Sequence, residues 1–182
     1  MMERLDLGGV PAFWTEGPEP AMVALSFRSG MADEPPPLRG ISHLVEHLSC
    51  FTFGDRDRDR DRVNGFVDLL RTVFFAQGTQ DEVSAFLRDI ARAIAEPRLD
   101  RLDTERRVLR TEAAGDPGDF TARQLFLRYG YAGFGASFVR ELGLGWIGPH
   151  EVERWRGERF TAGNAAVWAH GPRPPEAPLE LP

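Results

Sequence analysis

Two histidines and a glutamate stand close together in the segment GISHLVEHLSC, which covers residues 40–50. His43, Glu46 and His47 have the spacing H-x-x-E-H, and on a helix the two histidines project from the same face one turn apart. Two imidazoles placed in this way can chelate one zinc ion at about 2.0–2.1 Å per bond. Glu46 lies beside them and can reach a water on that ion without being a ligand, which is the position of a general base.

A zinc site that hydrolyses a substrate needs a third protein ligand and an open fourth position. The string ERRVLRTE supplies Glu105 and Glu112, which stand seven residues apart on one face of a helix predicted over residues 102–114. One carboxylate can bind the ion while the other supports a ligand or faces the substrate. The spacing does not say which carboxylate does which. Histidines on a polar helix face also carry this pattern without a metal.

The elements predicted around these residues are strands and helices in mixed order. Residues 21–28 are short and apolar and predict a strand, whereas DEPPPLRG at 33–40 predicts a loop because three prolines in a row exclude a helix. Further strand material lies at 63–77 and 165–171, and helical patterns cover 80–97, 102–114, 119–130 and 149–160. We therefore expect an α+β domain with a mixed or antiparallel sheet and helices packed mainly on one face.

The composition limits the functional class. The 182 residues suffice for one domain with a core, and 42% hydrophobic with 27% charged residues is ordinary for a globular protein. The net charge of −6 argues against nucleic acid and anionic membranes as partners, because both need a basic face. Cys50 is the single cysteine, and neither a signal peptide nor a long apolar run is recognisable, so we expect a cytoplasmic protein.

Two segments are expected to lie outside the packed core. Residues 55–62 read DRDRDRDR, a low-complexity block that is typical of a solvated loop, with a charged contact surface for a partner as the alternative. Residues 173–182 are rich in proline and predict a mobile tail or linker. Residues 1–172 are then the domain.

Several ordered segments resemble the insulinase/pitrilysin family of zinc peptidases, which includes the mitochondrial processing peptidases. SFRSGMADEPPPLRGISHLVEHL resembles that family's first strand, acidic-proline loop and metal helix, and H-x-x-E-H is the inverzincin signature. VNGFVDLLRTVFF resembles its Asn-Ala-x-Thr strand segment, TERRVLRTE its Glu-x6-Glu helix, and RFTAGNAAVWAHGP its tyrosine-rich turn and closing strand. The resemblance covers residues 5–172, with the segments in the family's order.

This resemblance implies a zinc-dependent metalloendopeptidase, or the catalytic subunit of one, that acts on short or unfolded peptides. It implies that His43, His47 and Glu112 bind Zn²⁺ and that Glu46 is the base that activates water. Glu105 would be the carboxylate that supports the site. Processing of a peptide precursor is one activity that such a protein could have.

The resemblance also places Asn64 on the strand that holds the substrate, where it could hydrogen-bond the peptide backbone. An extended peptide can add to a sheet edge whatever its side chains are, because the main chain makes the contacts. Gly65 and Val67 stand where the family prefers alanine and threonine, and the charged block at 55–62 replaces a longer segment. These departures weaken the resemblance at the substrate-binding strand more than at the metal site.

Length is the largest departure from the family. Its members carry two related domains per half and close two halves around the peptide, whereas this chain has one domain. We therefore expect a second peptidase-like subunit or self-association. The alternatives are a binding or scaffolding protein that kept the motif without turnover, and a zinc-independent domain whose histidines are incidental.

Overall fold

The computed structural model describes residues 1–50, 62–115, 120–139, 141–176 and 178–182. Within these residues the strands are β1 (Met2–Asp6), β2 (Pro11–Glu16), β3 (Ala21–Phe27), β4 (Val63–Val67), β5 (Thr72–Gly78) and β6 (Ala165–Gly171). The α-helices are α1 (Ile41–Cys50), α2 (Gln80–Ala95), α3 (Leu102–Gly115), α4 (Phe120–Tyr129) and α5 (Pro149–Arg159). The predicted α+β class is confirmed.

The strands form one mixed sheet with the order β1-β2-β6-β3-β5-β4. β2 and β6 run parallel, and all other neighbouring strands are antiparallel. β6 lies between β2 and β3, so it connects the hairpin β1–β2 to the rest of the sheet. β1 and β4 form the two edges of the sheet within the described residues.

One face of the sheet is buried under helices, and the other is more open to solvent. In β3, buried residues alternate with more exposed ones, as expected for a strand that packs on one face. α1 packs against β4 and β5, α2 packs against β3 and β5, and both α3 and α5 lie against α1. The prediction that the helices pack mainly on one face is therefore confirmed.

The strand material predicted over 63–77 forms two strands. The chain reverses at 68–71, where the Asp68 carboxylate accepts hydrogen bonds from the backbone N–H groups of Leu70 (2.8 Å) and Arg71 (2.9 Å). Asp favours turns because its short side chain can bond to the backbone two residues later. The resulting hairpin places β4 at the sheet edge beside α1.

Of the two segments predicted to lie outside the core, the structure describes most of the tail but only the last residue of the charged block. Residues 55–61 of the charged block lie outside the described residues, so the predictions for that block stay predictions. In the tail, Leu179 is buried and its N–H donates to the carbonyl oxygen of Leu7 at 3.0 Å. The described part of the tail thus contacts the domain, and the boundary at residue 172 stays a prediction.

Candidate metal centre

Helix α1 presents its histidines on one side because its other side belongs to the core. Its apolar residues are fully buried: Ile41, Leu44, Val45 and Leu48. They follow the i, i+3, i+4, i+7 spacing of an amphipathic helix. The rings of His43 and His47 meet edge to face, with their centroids 4.8 Å apart. The structure therefore brings the two predicted ligands together on one helix face.

A buried carboxylate fixes the start of α1. Glu34 Oε2 accepts a hydrogen bond from the N–H of Gly40 at 3.0 Å, and its Oε1 accepts one from the N–H of Ser42 at 2.8 Å. Gly40 has a φ of +92°, a conformation that favours glycine. From the other side, Trp155 Nε1 donates to Ser42 Oγ at 3.1 Å. These contacts hold the helix turn that carries His43.

The Glu34 carboxyl makes stability depend on pH. Burial raises its pKa from 4.5 to about 7, against the opposing effect of its two backbone donors and the Arg39 guanidinium. The folded chain therefore keeps this proton to a higher pH than the unfolded chain. The contribution of Glu34 to stability falls as pH rises from about 4.5 to about 7, by roughly 3 kcal/mol.

Glu34→Gln is expected to remove this pH-dependent contribution, because the amide does not titrate. Urea unfolding of the metal-free wild type and of the variant, across the range from about pH 4.5 to about pH 8, measures it. The wild type should lose stability relative to Glu34→Gln as pH rises. A difference in unfolding free energy that stays constant over this range contradicts the assignment.

A carboxylate contacts the Nδ1 atom of each histidine ring. His47 Nδ1 is 3.2 Å from Glu105 Oε2, and His43 Nδ1 is 3.1 Å from Glu141 Oε1. An ionised carboxylate only accepts hydrogen bonds, so a neutral ring in this contact carries its hydrogen on Nδ1 and presents the lone pair of Nε2. Metal-binding histidines are commonly oriented in this way.

The two Nε2 atoms and one carboxylate oxygen converge on one point. Glu112 Oε2 is 3.8 Å from His43 Nε2 and 3.6 Å from His47 Nε2, and the three ligand atoms lie within 4.8 Å of one another. Ligands of a tetrahedral zinc ion are about 3.3–3.4 Å apart at the usual bond lengths. The Glu112 side chain is 51% exposed, so it can close the few tenths of an ångström on its own side, and the two imidazole nitrogens, which lie within 4.8 Å of each other, can come closer by rotation of their rings. The residues present fit a zinc ion.

Negative charge surrounds His43. Burial has the largest single effect on its pKa and lowers it, but Glu141, Glu46 and Glu112 together outweigh burial and raise the pKa. A proton and a metal ion compete for the same Nε2 lone pair. The carboxylates that favour the protonated ring also attract a divalent cation to this point.

Glu46 places a buried carboxylate beside the three ligand atoms. Its side chain is 6% exposed, and its Oε2 lies 3.9 Å from His43 Nε2 and 3.8 Å from His47 Nε2. It lies outside the group of three candidate ligands. From this position it can exchange a proton with a water molecule held at the same point.

The two glutamates of α3 occupy different positions. Glu105 is buried, and its Oε1 accepts hydrogen bonds from Arg101 Nε at 3.1 Å and from Nη2 at 3.0 Å. This ion pair holds the other Glu105 oxygen behind the ring of His47. Glu112 instead reaches the Nε2 side of both histidines. The geometry thus favours Glu112 as a ligand and Glu105 as the residue that orients one.

Asn64 lies on the edge strand β4 with an exposed side chain. It pairs with Phe75, and its Oδ1 accepts a hydrogen bond from the N–H of Gly65 at 2.9 Å. Because strand residues alternate between faces, it is Gly65 that faces α1, where an added β-carbon would lie 3.0 Å from Cγ and Cδ of Glu46. The β4 backbone therefore runs past the site, and the role of Asn64 in holding a substrate stays a prediction.

No sequence pattern marks Glu141 as a residue of the site. This residue precedes a short 3-10 helix, Leu142–Gly145, in a glycine-rich segment without periodicity. It stands 98 residues after His43, so no local spacing connects the two. Its side chain is 11% exposed. Only the folded chain reveals it as the counterpart of Glu105.

Glu141→Ala is expected to weaken zinc binding by about 10- to 100-fold, because the His43 ring loses the carboxylate that orients it. Competition with a chromophoric chelator measures the affinity. Glu153→Ala, an exposed glutamate on α5, is the matched control and should bind zinc like the wild type. Equal affinities for Glu141→Ala and wild type contradict an orienting role.

A pocket of about 270 Å³ opens beside the candidate ligands. Its walls include Met31, Gly40, His43, Val67, Glu112 and Glu141. The pocket thus extends from the ligand atoms to the end of the edge strand β4. Within the described residues β4 is an edge strand, and a chain that pairs with it would place side chains here.

Several solved structures have the same fold as this chain. Pitrilysin matches with a TM-score of 0.74 at 18% identity, over 95% of this chain and 21% of that chain. A variant of the ferredoxin protease FusC in complex with Arabidopsis ferredoxin matches with a TM-score of 0.78 at 16% identity, over 96% of this chain and 22% of that chain. The chain has the fold of insulinase-type peptidase domains. No protein-family model and no curated protein sequence matches it.

The same fold also occurs in a chain of complex III2 from Candida albicans with Inz-5 bound. That match has a TM-score of 0.76 at 16% identity, over 94% of this chain and 43% of that chain. The structural neighbours thus support the insulinase/pitrilysin resemblance at the level of fold, and they do not single out a mitochondrial processing peptidase. The chain spans about a fifth of the length of the two proteases.

Proposed function

We propose that this chain is the catalytic domain of a zinc-dependent peptidase that cleaves short or unfolded peptides. The observation that carries the proposal is the convergence of His43 Nε2, His47 Nε2 and Glu112 Oε2 on one point, with Glu46 facing it. The fold that the chain shares with two proteases supports the same conclusion.

In this proposal each polar residue of the site has a separate task. His43, His47 and Glu112 would hold the zinc ion, which supplies Lewis-acid activation of water and of the scissile carbonyl. Glu46 accepts a proton from the attacking water as the water oxygen bonds to the carbonyl carbon. The same carboxyl returns the proton to the amine nitrogen when the C–N bond breaks. Its burial keeps bulk water away from this proton.

The remaining residues orient the ligands and the substrate. Glu105 and Glu141 keep the two histidine rings turned with Nε2 toward the metal position. An extended peptide would add to β4, which is an edge strand in the part of the chain that the structure describes, with main-chain hydrogen bonds as the source of affinity. Asn64 on that edge would contribute a further hydrogen bond to the peptide.

Zinc loading combined with peptide cleavage tests the proposal. Metal-free chain is loaded with zinc, its metal content is measured by mass spectrometry, and it is incubated with an unfolded protein and a set of fluorogenic peptides. We expect about one zinc per chain, and cleavage that stops in chelator and returns with added zinc. A chain that binds no zinc, alone or with a partner subunit, contradicts the proposal.

A second candidate is a binding or scaffolding subunit with this fold and without turnover. The observation that favours it is that the fold is not confined to the two proteases, because it also occurs in a chain of complex III2. Zinc binding without cleavage in any partnered form would support this candidate.

We also propose a peptidase-like partner subunit or self-association, because two of the structures that share its fold are complexes, one of a protease with Arabidopsis ferredoxin and one of complex III2. Light scattering after size exclusion measures the oligomeric state. Within the described ranges, no helix has both the length and the apolar character that a bilayer crossing requires. The cytoplasmic location and the lack of a nucleic-acid partner stay predictions.

A further inference from the structure

Glu46 makes a contact that the proposed mechanism does not use. Its Oε1 accepts a hydrogen bond from Cys50 Sγ at 3.2 Å, while its Oε2 faces the histidine Nε2 atoms. We propose that Cys50 is a positioning residue for peptide hydrolysis, because its thiol holds one oxygen of the Glu46 carboxylate and so aims the other at the reacting atoms. This inference rests on the function proposed for the site.

The position of Cys50 suits this task. It follows Glu46 by four residues on α1, so both side chains lie on the same helix face. Burial raises the pKa of the Cys50 thiol, and the negative charge of Glu46 raises it further. The sulfur therefore keeps its hydrogen at neutral pH and remains a donor to the carboxylate.

The neighbouring strand leaves space for this arrangement. Gly65 on β4 faces Glu46, and a β-carbon there would overlap Oε1 of the carboxylate. A larger residue at position 65 would displace that oxygen from its present position. Cys50 and Gly65 therefore both determine where Oε1 lies. Cys50 donates a hydrogen bond to this oxygen, and Gly65 leaves room for it.

The hydrogen bond from Cys50 keeps Glu46 in the role of a base and prevents it from becoming a ligand of the ion. Glu46 Oε2 lies 3.9 and 3.8 Å from the two Nε2 atoms, almost as close as Glu112 Oε2 at 3.8 and 3.6 Å. A freely rotating Glu46 carboxylate could therefore bind the ion itself and occupy the position that water needs. With Oε1 held by Cys50, the carboxylate keeps one orientation and stays a base.

Kinetics of three variants test the proposal. Cys50→Ala should lower kcat about tenfold, with KM within about twofold and with zinc content unchanged. Cys50→Ser keeps a donor and should restore kcat to within about threefold of the wild type. Gly65→Ala displaces the same oxygen, so it should lower kcat when Cys50 is present and have no further effect in combination with Cys50→Ala. A wild-type kcat in Cys50→Ala, or equal losses in the alanine and serine variants, overturns the proposal.

An infrared measurement tests the contact without relying on activity. The chain has one cysteine, so its S–H stretching band belongs to Cys50 alone. The band should lie at lower wavenumber in the wild type than in Glu46→Ala, with Glu158→Ala on α5 as the matched control. Identical bands overturn the proposal. A shifted band in a chain that cleaves no peptide in any form overturns the proposed function, and with it the catalytic role of Cys50, while the contact itself stands.

Discussion

Glu46→Gln is expected to lower kcat for peptide cleavage by about 100- to 10,000-fold, the usual contribution of a general acid–base residue. The amide has nearly the same shape as the carboxylate but cannot take a proton from water. Zinc content should stay at about one per chain, because Glu46 is not among the three converging ligand atoms. Mass spectrometry of the metal and steady-state kinetics on the same preparation measure both quantities.

Glu158→Gln is the matched control for this variant. Glu158 is exposed on α5, so the same chemical change there should alter neither kcat nor zinc content. Retention of more than about a tenth of the wild-type kcat by Glu46→Gln would show that another group moves the proton. Loss of zinc in Glu46→Gln would instead make Glu46 a ligand and contradict the assignment of Glu112.

His47→Ala is expected to abolish the stabilisation that zinc confers on the folded chain. Zinc at about 100 times its dissociation constant stabilises a folded protein by about 2.7 kcal/mol, provided that the unfolded chain does not bind it. For a chain of this size that corresponds to a rise in melting temperature of roughly 5–10 °C. His47→Ala removes one of three ligands, so its melting temperature should not respond to zinc or to chelator.

His150→Ala is the matched histidine control, because His150 is exposed on α5 and is not one of the three converging residues. It should show the same zinc-dependent rise in melting temperature as the wild type. Chelator added to the wild type should reproduce the zinc-free behaviour of His47→Ala. A zinc-dependent rise of wild-type size in His47→Ala would place the ion elsewhere on the chain.

The parts of the fold that sequence could predict are those with strong local patterns. α2 carries periodic apolar residues, and β3 and β6 are short apolar runs, so their patterns predict bounds close to the observed ones, whereas for α1 the sequence predicts the helix without its bounds. β1 and β2 were not predicted. β1 is a largely exposed edge strand, so its residues need no apolar alternation. β2 begins at Pro11, which is a weak strand signal.

The residues of the candidate site likewise fall into two groups, those that local sequence patterns predict and those that they do not. His43, Glu46 and His47 lie on one helix, where spacing alone places them on one face. Glu141 and the Gly65 backbone reach the same point from distant segments, and their approach depends on how α1 packs between the sheet and the neighbouring loops. Local patterns carry no information about such approaches, so the sequence could not reveal them.

The place of β6 in the sheet has a consequence for how the chain is made. β6 is hydrogen-bonded to β2 on one side and to β3 on the other, and residues 165–171 form it. On the ribosome, every candidate zinc ligand is synthesised long before these residues are available. During that interval the hairpin β1–β2 has no strand through which to join β3, because β6 lies between them. The candidate ligands therefore precede, in order of synthesis, the strand that completes the sheet.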